Sequence, residues 1–241
     1  MNLSGKTVLI TGAARRVGRA IALSIAQAGG NVIIHHGHSP QEAEAVRIEI
    51  ESMGRQAHII QADLGDPNQV AEIIPRAYQV GQLYALVNSA AIFEPLTLAT
   101  TDLPAWERHL SINLTAPFLL SQAFAAWLPA NETGRIVNIL DWRALRPGSD
   151  HLPYTISKAA LVALTQSLAA TLAPRITVNG LALGAILPPS DGPTPETLLE
   201  SVPARRWAGL EEVGQALIFL LTGPEYITGE ILHVDGGRHL I

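Results

Sequence analysis

The chain of 241 residues contains no cysteine. Disulfides and thiolate metal sites are therefore excluded, and the composition suits a reducing compartment. Charge is sparse: Asp, Glu, Lys and Arg make up 15% of the residues, the formal net charge is −5, and no long run of like charge occurs. A nucleic-acid or membrane-surface binder would show such a run. No apolar h-region of a secretory signal precedes the first strand-like segment, Thr7-Val8-Leu9-Ile10. No segment holds the roughly 18 uninterrupted apolar residues of a membrane-spanning helix. Linkers rich in Pro, Gly and Ser are missing, as are internal repeats. These absences lead to the expectation of a soluble cytoplasmic protein in which residues 1–241 form one domain.

Core-forming residues are abundant, at 48% of the chain. Short apolar runs alternate with helical patterns throughout. Strands are expected at Thr7–Ile10, Val32–His35, Ala57–Gln61, Ala85–Asn88, Arg135–Leu140, Ile176–Asn179 and Glu230–Val234. Helices are expected at Val17–Ala28, Pro40–Met53, Pro67–Val80, Pro104–Leu128, Tyr154–Ala173 and Leu210–Leu221. Strands this short and this apolar suit burial on both faces. The alternation implies βαβ units and a parallel sheet, so an α/β doubly wound, Rossmann-type fold with helices on both faces is predicted. One proline-rich stretch, residues 183–207, follows a strand end and reads as a lid over a ligand, with Trp207 as lid or packing residue.

Tyr154 and Lys158 are four residues apart and share a helix face. An ammonium beside a phenol favours phenolate, so the Tyr154 pKa is expected to fall below its ordinary ~10 and the residue to exchange protons near neutrality. Asp141 lies thirteen residues before Tyr154, at the carboxyl end of an apolar run. Open α/β sheets bind ligands at that end. Taken singly, a Tyr/Lys pair is common on helices and an aspartate after a strand is commonly a turn residue.

The first strand is joined to the first helix by Thr11-Gly12-Ala13-Ala14-Arg15-Arg16-Val17-Gly18. Gly12 suits a tight turn and Gly18 a close packing, while the unpaired N–H groups of the helix suit a pyrophosphate. The second strand ends in His35-His36-Gly37-His38-Ser39, with no carboxylate before Glu42 to take a ribose hydroxyl. Arg15, His38 and Ser39 are suited to a 2′-phosphate instead, which favours NADP(H) over NAD. The histidines otherwise read as a polar turn, since no carboxylate stands at metal-ligand spacing to them. Asp63 follows the third strand and suits either an adenine edge or the N-cap of the next helix. Asn88-Ser89-Ala90-Ala91, after the fourth strand, leaves room for a ribose against the backbone.

Together these residues resemble the short-chain dehydrogenase/reductase superfamily over nearly the whole chain. The likeness runs from Thr11–Gly18 through Asp63, Asn88–Ala91, Asn113 and Tyr154-x-x-x-Lys158 to Val178-Asn179 and Asp235-Gly236-Gly237. It implies that Tyr154 donates the proton, that Lys158 holds the nicotinamide ribose, and that Asn113 relays water to the lysine. It also implies cofactor contacts from Val17, Leu64, Ala90 and Gly184. The chain departs from the usual pattern in three places: Asp141 replaces a serine, Arg16 a middle glycine, and Leu183 a proline. The first two departures are similar to the pteridine reductases, including the dihydromonapterin reductases. Phe93 and the segments Tyr226–Gly229 and Gly236–Leu240 are similar to that branch as well.

The resemblance implies hydride transfer from NADPH to a pterin C=N bond. Tyr154 and Lys158 would supply protons, and Asp141 would bond the pterin edge and in its acid form donate directly or through water. Phe93 would stack on the ring, and Arg16 would lie near the pyrophosphate and touch the substrate. Alternatively, Phe93 is a core residue under the loop. Rival functions are a carbonyl reductase or alcohol dehydrogenase of the 3-oxoacyl-carrier type, and a cofactor-sensing regulator without turnover. The resemblance also implies a homotetramer packed through the apolar Asn113 and Tyr154 helices, with burial of those helices against the chain's own sheet as the alternative.

Overall fold

A computed structural model describes residues 2–188 and 196–241. Seven strands form one parallel sheet: β1 (Thr7–Ile10), β2 (Asn31–His36), β3 (Ala57–Gln61), β4 (Leu83–Asn88), β5 (Gly134–Asp141), β6 (Ile176–Leu183) and β7 (Ile231–Val234). Their order is β3-β2-β1-β4-β5-β6-β7. The helices are α1 (Arg16–Gln27), α2 (Pro40–Ser52), α3 (Pro67–Val80), α4 (Leu103–Leu110), α5 (Ala116–Trp127), α6 (Leu152–Leu172) and α7 (Leu210–Thr222). The chain reverses direction across the sheet between β1 and β4, the switch point at which such sheets open a ligand crevice.

Two-residue periodicity splits each strand between two cores. Val8, Ile10, Val32 and Ile34 face one cluster with Ile21 and Ile25 of α1, Val46 of α2 and Leu217 of α7. Leu9, Ile33 and Leu86 face the other, with Ile73 of α3 and Leu120 and Phe124 of α5. All of these side chains are 0% exposed, so both faces of the sheet are covered at its centre, while the edge strand β3 exposes His58 and Gln61. Helix starts follow local chemistry. Asp66 caps α3 by accepting from Asn68 N at 2.9 Å, and Asp102 caps α4 by accepting from Ala105 N at 2.8 Å. Pro67 and Pro104 stand in the first turns, where their missing N–H costs nothing.

Three elements differ from expectation. The predicted helix Pro104–Leu128 is divided by a π turn, Ser111–Thr115, between α4 and α5. Such turns rotate side chains out of register, and here one places Asn113 inward at 0% exposure. The sixth strand does not stop at Asn179 but runs on to Leu183, pairing Gly180 with Asn138 and Leu183 with Asp141. Gly180 reads as a breaker, yet any β-carbon there would lie 2.4 Å from Leu140 Cδ1, so close strand packing explains the glycine. In the stretch 183–207, residues 189–195 lie outside the described residues. Its described end is tied down: Ala204 N donates to Gly236 O at 3.0 Å and Ala208 N to Ala185 O at 2.9 Å.

Helix α6, with 21 residues and a mean hydropathy of 1.2, is long and apolar enough to cross a membrane by length and composition alone. It packs against β6 instead, with Tyr154, Ser157, Lys158, Leu161 and Thr165 buried.

Candidate active site

The phosphate-type turn comes first along the chain. Gly12 adopts φ 66° and lies against Ala90, where a β-carbon would meet Ala90 Cα at 2.9 Å. A β-carbon on Gly18 would stand 2.1 Å from Gly12 O, so its close approach is to the turn and not to a strand. Arg16, at the position of the middle glycine, takes φ 52°, a left-handed conformation that a glycine would adopt freely. Its guanidinium reaches across to donate to Pro188 O at 2.9 Å. Val17 is half-buried against the core behind the turn.

His35 lies in the strand as expected, and the strand runs one residue further to take in His36, which is also buried. His35 is 1% exposed; its Nδ1 accepts from Gly12 N at 3.3 Å and its Nε2 donates to Ala62 O at 3.1 Å. Burial lowers its pKa to about 4, so it is neutral and can serve both bonds. His35 thereby ties the glycine turn to β3. His36 accepts from Ser39 N at 3.3 Å. Beyond them the Arg15 guanidinium clasps the Ser39 hydroxyl, with Nε at 2.8 Å, and Glu42 stands 3.4 Å from the same nitrogen. His38 is exposed at this turn.

Asp63 is not a helix cap. It bonds Gly65 N at 2.8 Å within its own turn, and Asp66 caps α3. Leu64 is 7% exposed, its side chain in the core. The Asn88 side chain also turns inward, donating to Asn138 Oδ1 at 2.8 Å. Gly184 lies against Asp235, its N–H donating to Val234 O at 3.0 Å.

The reactive groups converge where β5 ends and α6 begins. Asp141 Oδ1 accepts from Arg143 N at 2.8 Å, which holds the short turn Trp142–Ala144, and Oδ2 accepts from the Tyr154 hydroxyl at 3.0 Å. Lys158 is 2% exposed, and its ammonium donates to Ile139 O at 2.7 Å, 5.8 Å from the Tyr154 ring centroid. Burial pulls the Lys158 pKa down to about 8, against the opposing pull of Asp141. The expected lowering of the Tyr154 pKa is reversed: burial raises it well above 10, and the Asp141 charge and hydrogen bond raise it further. The reason is geometric. Lys158 turns to a backbone carbonyl, while the nearest charge to the phenol is an anion.

Asn113 is bound on both sides of its amide. Oδ1 accepts from Ile92 N at 2.9 Å, and Nδ2 donates to Ile92 O and to Ser157 Oγ, each at 3.1 Å. It thus fixes the segment that carries Phe93. Phe93 is not a core residue: 49% of it is exposed, and its ring meets Tyr154 edge-on at 4.6 Å.

Several neighbours escaped the sequence reading. His151, at φ 51°, stacks on Phe93 with centroids 4.0 Å apart. Asp150 accepts from Arg143 at 3.0 Å and pairs with His151 at 2.9 Å. Arg238, from the C-terminal turn, lies 4.0 Å over the Trp142 ring. His151 is the N-cap of α6, three residues before Tyr154, and Trp142-Arg143 directly follows Asp141. That adjacency was the available signal. Arg238 lies in the segment Gly236–Leu240 already singled out by its likeness, but only the fold brings it to Trp142.

This geometry can deliver a proton from a buried phenol beside a carboxylate, next to an exposed aromatic ring and a phosphate-type turn. The comparisons agree with it. Residues 12–239 match the family model described as Enoyl-(Acyl carrier protein) reductase. The chain belongs to that family, within the short-chain dehydrogenase/reductase superfamily, and is an oxidoreductase. A 3-oxoacyl-[acyl-carrier-protein] reductase FabG of Aquifex aeolicus is 36% identical, over 98% of each chain. The structure of FolM Alternative dihydrofolate reductase 1 from Brucella suis, in complex with NADP, is 35% identical with a TM-score of 0.91, covering 98% of this chain and 96% of that one. A short chain dehydrogenase from Burkholderia cenocepacia in complex with NADP is 36% identical with a TM-score of 0.92, over 99% of each chain.

Proposed function

We propose that the protein is an NADPH-dependent reductase that converts a pteridine-type substrate from the dihydro to the tetrahydro level. The observation that carries this reading is the Asp141 carboxylate, 3.0 Å from the Tyr154 hydroxyl, where the superfamily usually offers a serine. A hydroxyl suits a ketone oxygen. A carboxylate suits a ring edge that presents N–H donors. The exposed Phe93 ring adds a stacking surface worth roughly 0.5–1.5 kcal/mol beyond area burial. A pterin would stack on the face that His151 leaves free, or would displace His151. The likeness to a protein named an alternative dihydrofolate reductase supports the same class.

The cofactor is NADP(H). The Arg15–Ser39 pair fits a 2′-phosphate, and the N-terminus of α1 behind Gly12 and Gly18 fits the pyrophosphate, with Arg16 beside it. Backbone at Asp63, Leu64, Ala90 and Gly184 completes the groove, and Asn88 holds its floor. Bound NADPH supplies the hydride. Tyr154, kept in the phenol form by its raised pKa, gives the proton. Lys158 orients the ribose, and Asn113 positions the Phe93 segment and relays water to the lysine. Asp141 and Arg16 hold the substrate edge. The exposed Phe118, Trp127 and Ile156 on α5 and α6 suit a homotetramer.

A second reading, a 3-oxoacyl-carrier reductase, is favoured by the likeness to FabG. NADPH consumption measured on dihydropterin, dihydrofolate and acetoacetyl substrates separates the two. Pterin turnover well above ketone turnover is expected; the reverse order overturns the pteridine reading.

A further inference from the structure

The C-terminal turn takes no part in the proposed reduction. The Asp235 carboxylate accepts from Gly237 N at 2.9 Å and from His239 N at 2.8 Å, which folds the segment back towards the turn after β5. The Arg238 guanidinium carbon then lies over the Trp142 ring, 4.0 Å from its centroid. Arg143 stands beside it, 5.0 Å from the Trp142 ring and 5.6 Å from Phe93. Asp150 pairs with Arg143 at 3.0 Å, and among the described residues Arg238 has no ion pair. Arg143 Nε is buried without a hydrogen-bond partner. Arg143 thus has a carboxylate partner, while Arg238 stands beside the reacting groups with no direct ion pair among the described residues. Burial lowers the Arg238 pKa and Arg143 lowers it further, with Asp141, Asp150 and Asp235 opposing. A half-buried guanidinium short of a counter-ion is stabilised by an arriving carboxylate or phosphate.

We propose that Arg238, backed by Arg143, is a specificity-determining residue that receives an anionic substituent, carboxylate or phosphate, on the part of the substrate remote from the reacting bond. The proposal rests on the assignment of Asp141 and Tyr154 to the reacting centre, and it holds for a pterin or a ketone alike. A guanidinium held over Trp142 can bind an oxyanion through paired N–H donors.

The test is NADPH-dependent kinetics on two substrate pairs, each with an anionic and a neutral member. Dihydrofolate, with its glutamyl carboxylates, is compared with 6-methyldihydropterin, and acetoacetyl-coenzyme A with ethyl acetoacetate. In Arg238→Met, which keeps an apolar stem over Trp142, the ratio of kcat/KM for the anionic to the neutral member should fall about tenfold, through KM. Arg238→Lys should recover part of the ratio. In the unaltered enzyme, KM for the anionic member should rise with ionic strength while that for the neutral member stays flat. This arm does not depend on any variant folding. An unchanged ratio in Arg238→Met together with a salt-independent KM overturns the proposal and leaves Arg238 as a structural stack. Turnover of the ketone pair alone sinks the pteridine reading and leaves this one testable. Turnover of neither pair sinks both.

Discussion

At the scale of single residues, the site depends on which charge stands nearest the phenol. Sequence spacing pairs Tyr154 with Lys158, but the side chains sort differently: the phenol bonds Asp141 and the ammonium bonds Ile139 O. Its raised pKa keeps Tyr154 a phenol at neutral pH, the form that the proposed reduction calls for. Asp141→Ser should lower pterin turnover by about a hundredfold, within the range general acid–base groups contribute. NADPH affinity, read by fluorescence titration, should hold. Turnover at the unaltered rate would remove Asp141 from the chemistry. The Lys158 pKa of about 8 yields a pH prediction. The ammonium is present below that value and lost above it, so kcat/KM for reduction should decline as pH rises through about 8. A profile flat to pH 10 would show that the ammonium charge is not needed.

At the scale of elements, the glycine turn is held by a buried histidine, which makes this part of the fold sensitive to acid. His35 titrates near 6.5 when unfolded and at about 4 when folded. The folded state disfavours the charged form, so its contribution is complete above pH 6.5 and is lost as pH falls towards 4. The difference corresponds to roughly 3 kcal/mol. Urea unfolding at pH 7 and pH 4 should show a loss of that order in the protein and a flatter response in His35→Gln. Parallel losses would place the acid sensitivity elsewhere. The π turn between α4 and α5 acts at the same scale. Its extra residue aims Asn113 at Ile92 and Ser157, and so couples the Phe93 segment to α6.

At the scale of the whole molecule, two expectations concern what the protein binds. Arg15 and Ser39 stand together at the end of β2, and Glu42 shares Arg15 at 3.4 Å. NADPH should bind at least tenfold more tightly than NADH in parallel titrations, and Arg15→Ala should erase most of the difference. Tighter binding of NADH would overturn the role given to Arg15. Phe118, Trp127 and Ile156 are 40%, 49% and 39% exposed on neighbouring outer helices. Sedimentation should show an assembly larger than one chain, and a concentration-independent monomer would refute the tetramer.

Much of this was legible along the chain. Runs of β-branched and apolar residues placed every strand, because strands buried on both faces have no polar alternation to confuse the pattern. Residue type and spacing picked out the glycine turn, Asp141, Tyr154 and Lys158 as candidates, but the spacing misjudged the direction of the Tyr154 pKa shift. Boundaries that depend on a neighbour were not legible. Gly180 continues β6 because β5 lies beside it, and Asp66, not Asp63, caps α3 because of where the chain turns. The ionisation of Tyr154, the burial of His35 and the return of Arg238 to Trp142 were settled by tertiary structure alone. Residue type specifies which groups are available to titrate or stack. Burial and the identity of the nearest charge are properties of the packed molecule, and they set the sign of each effect.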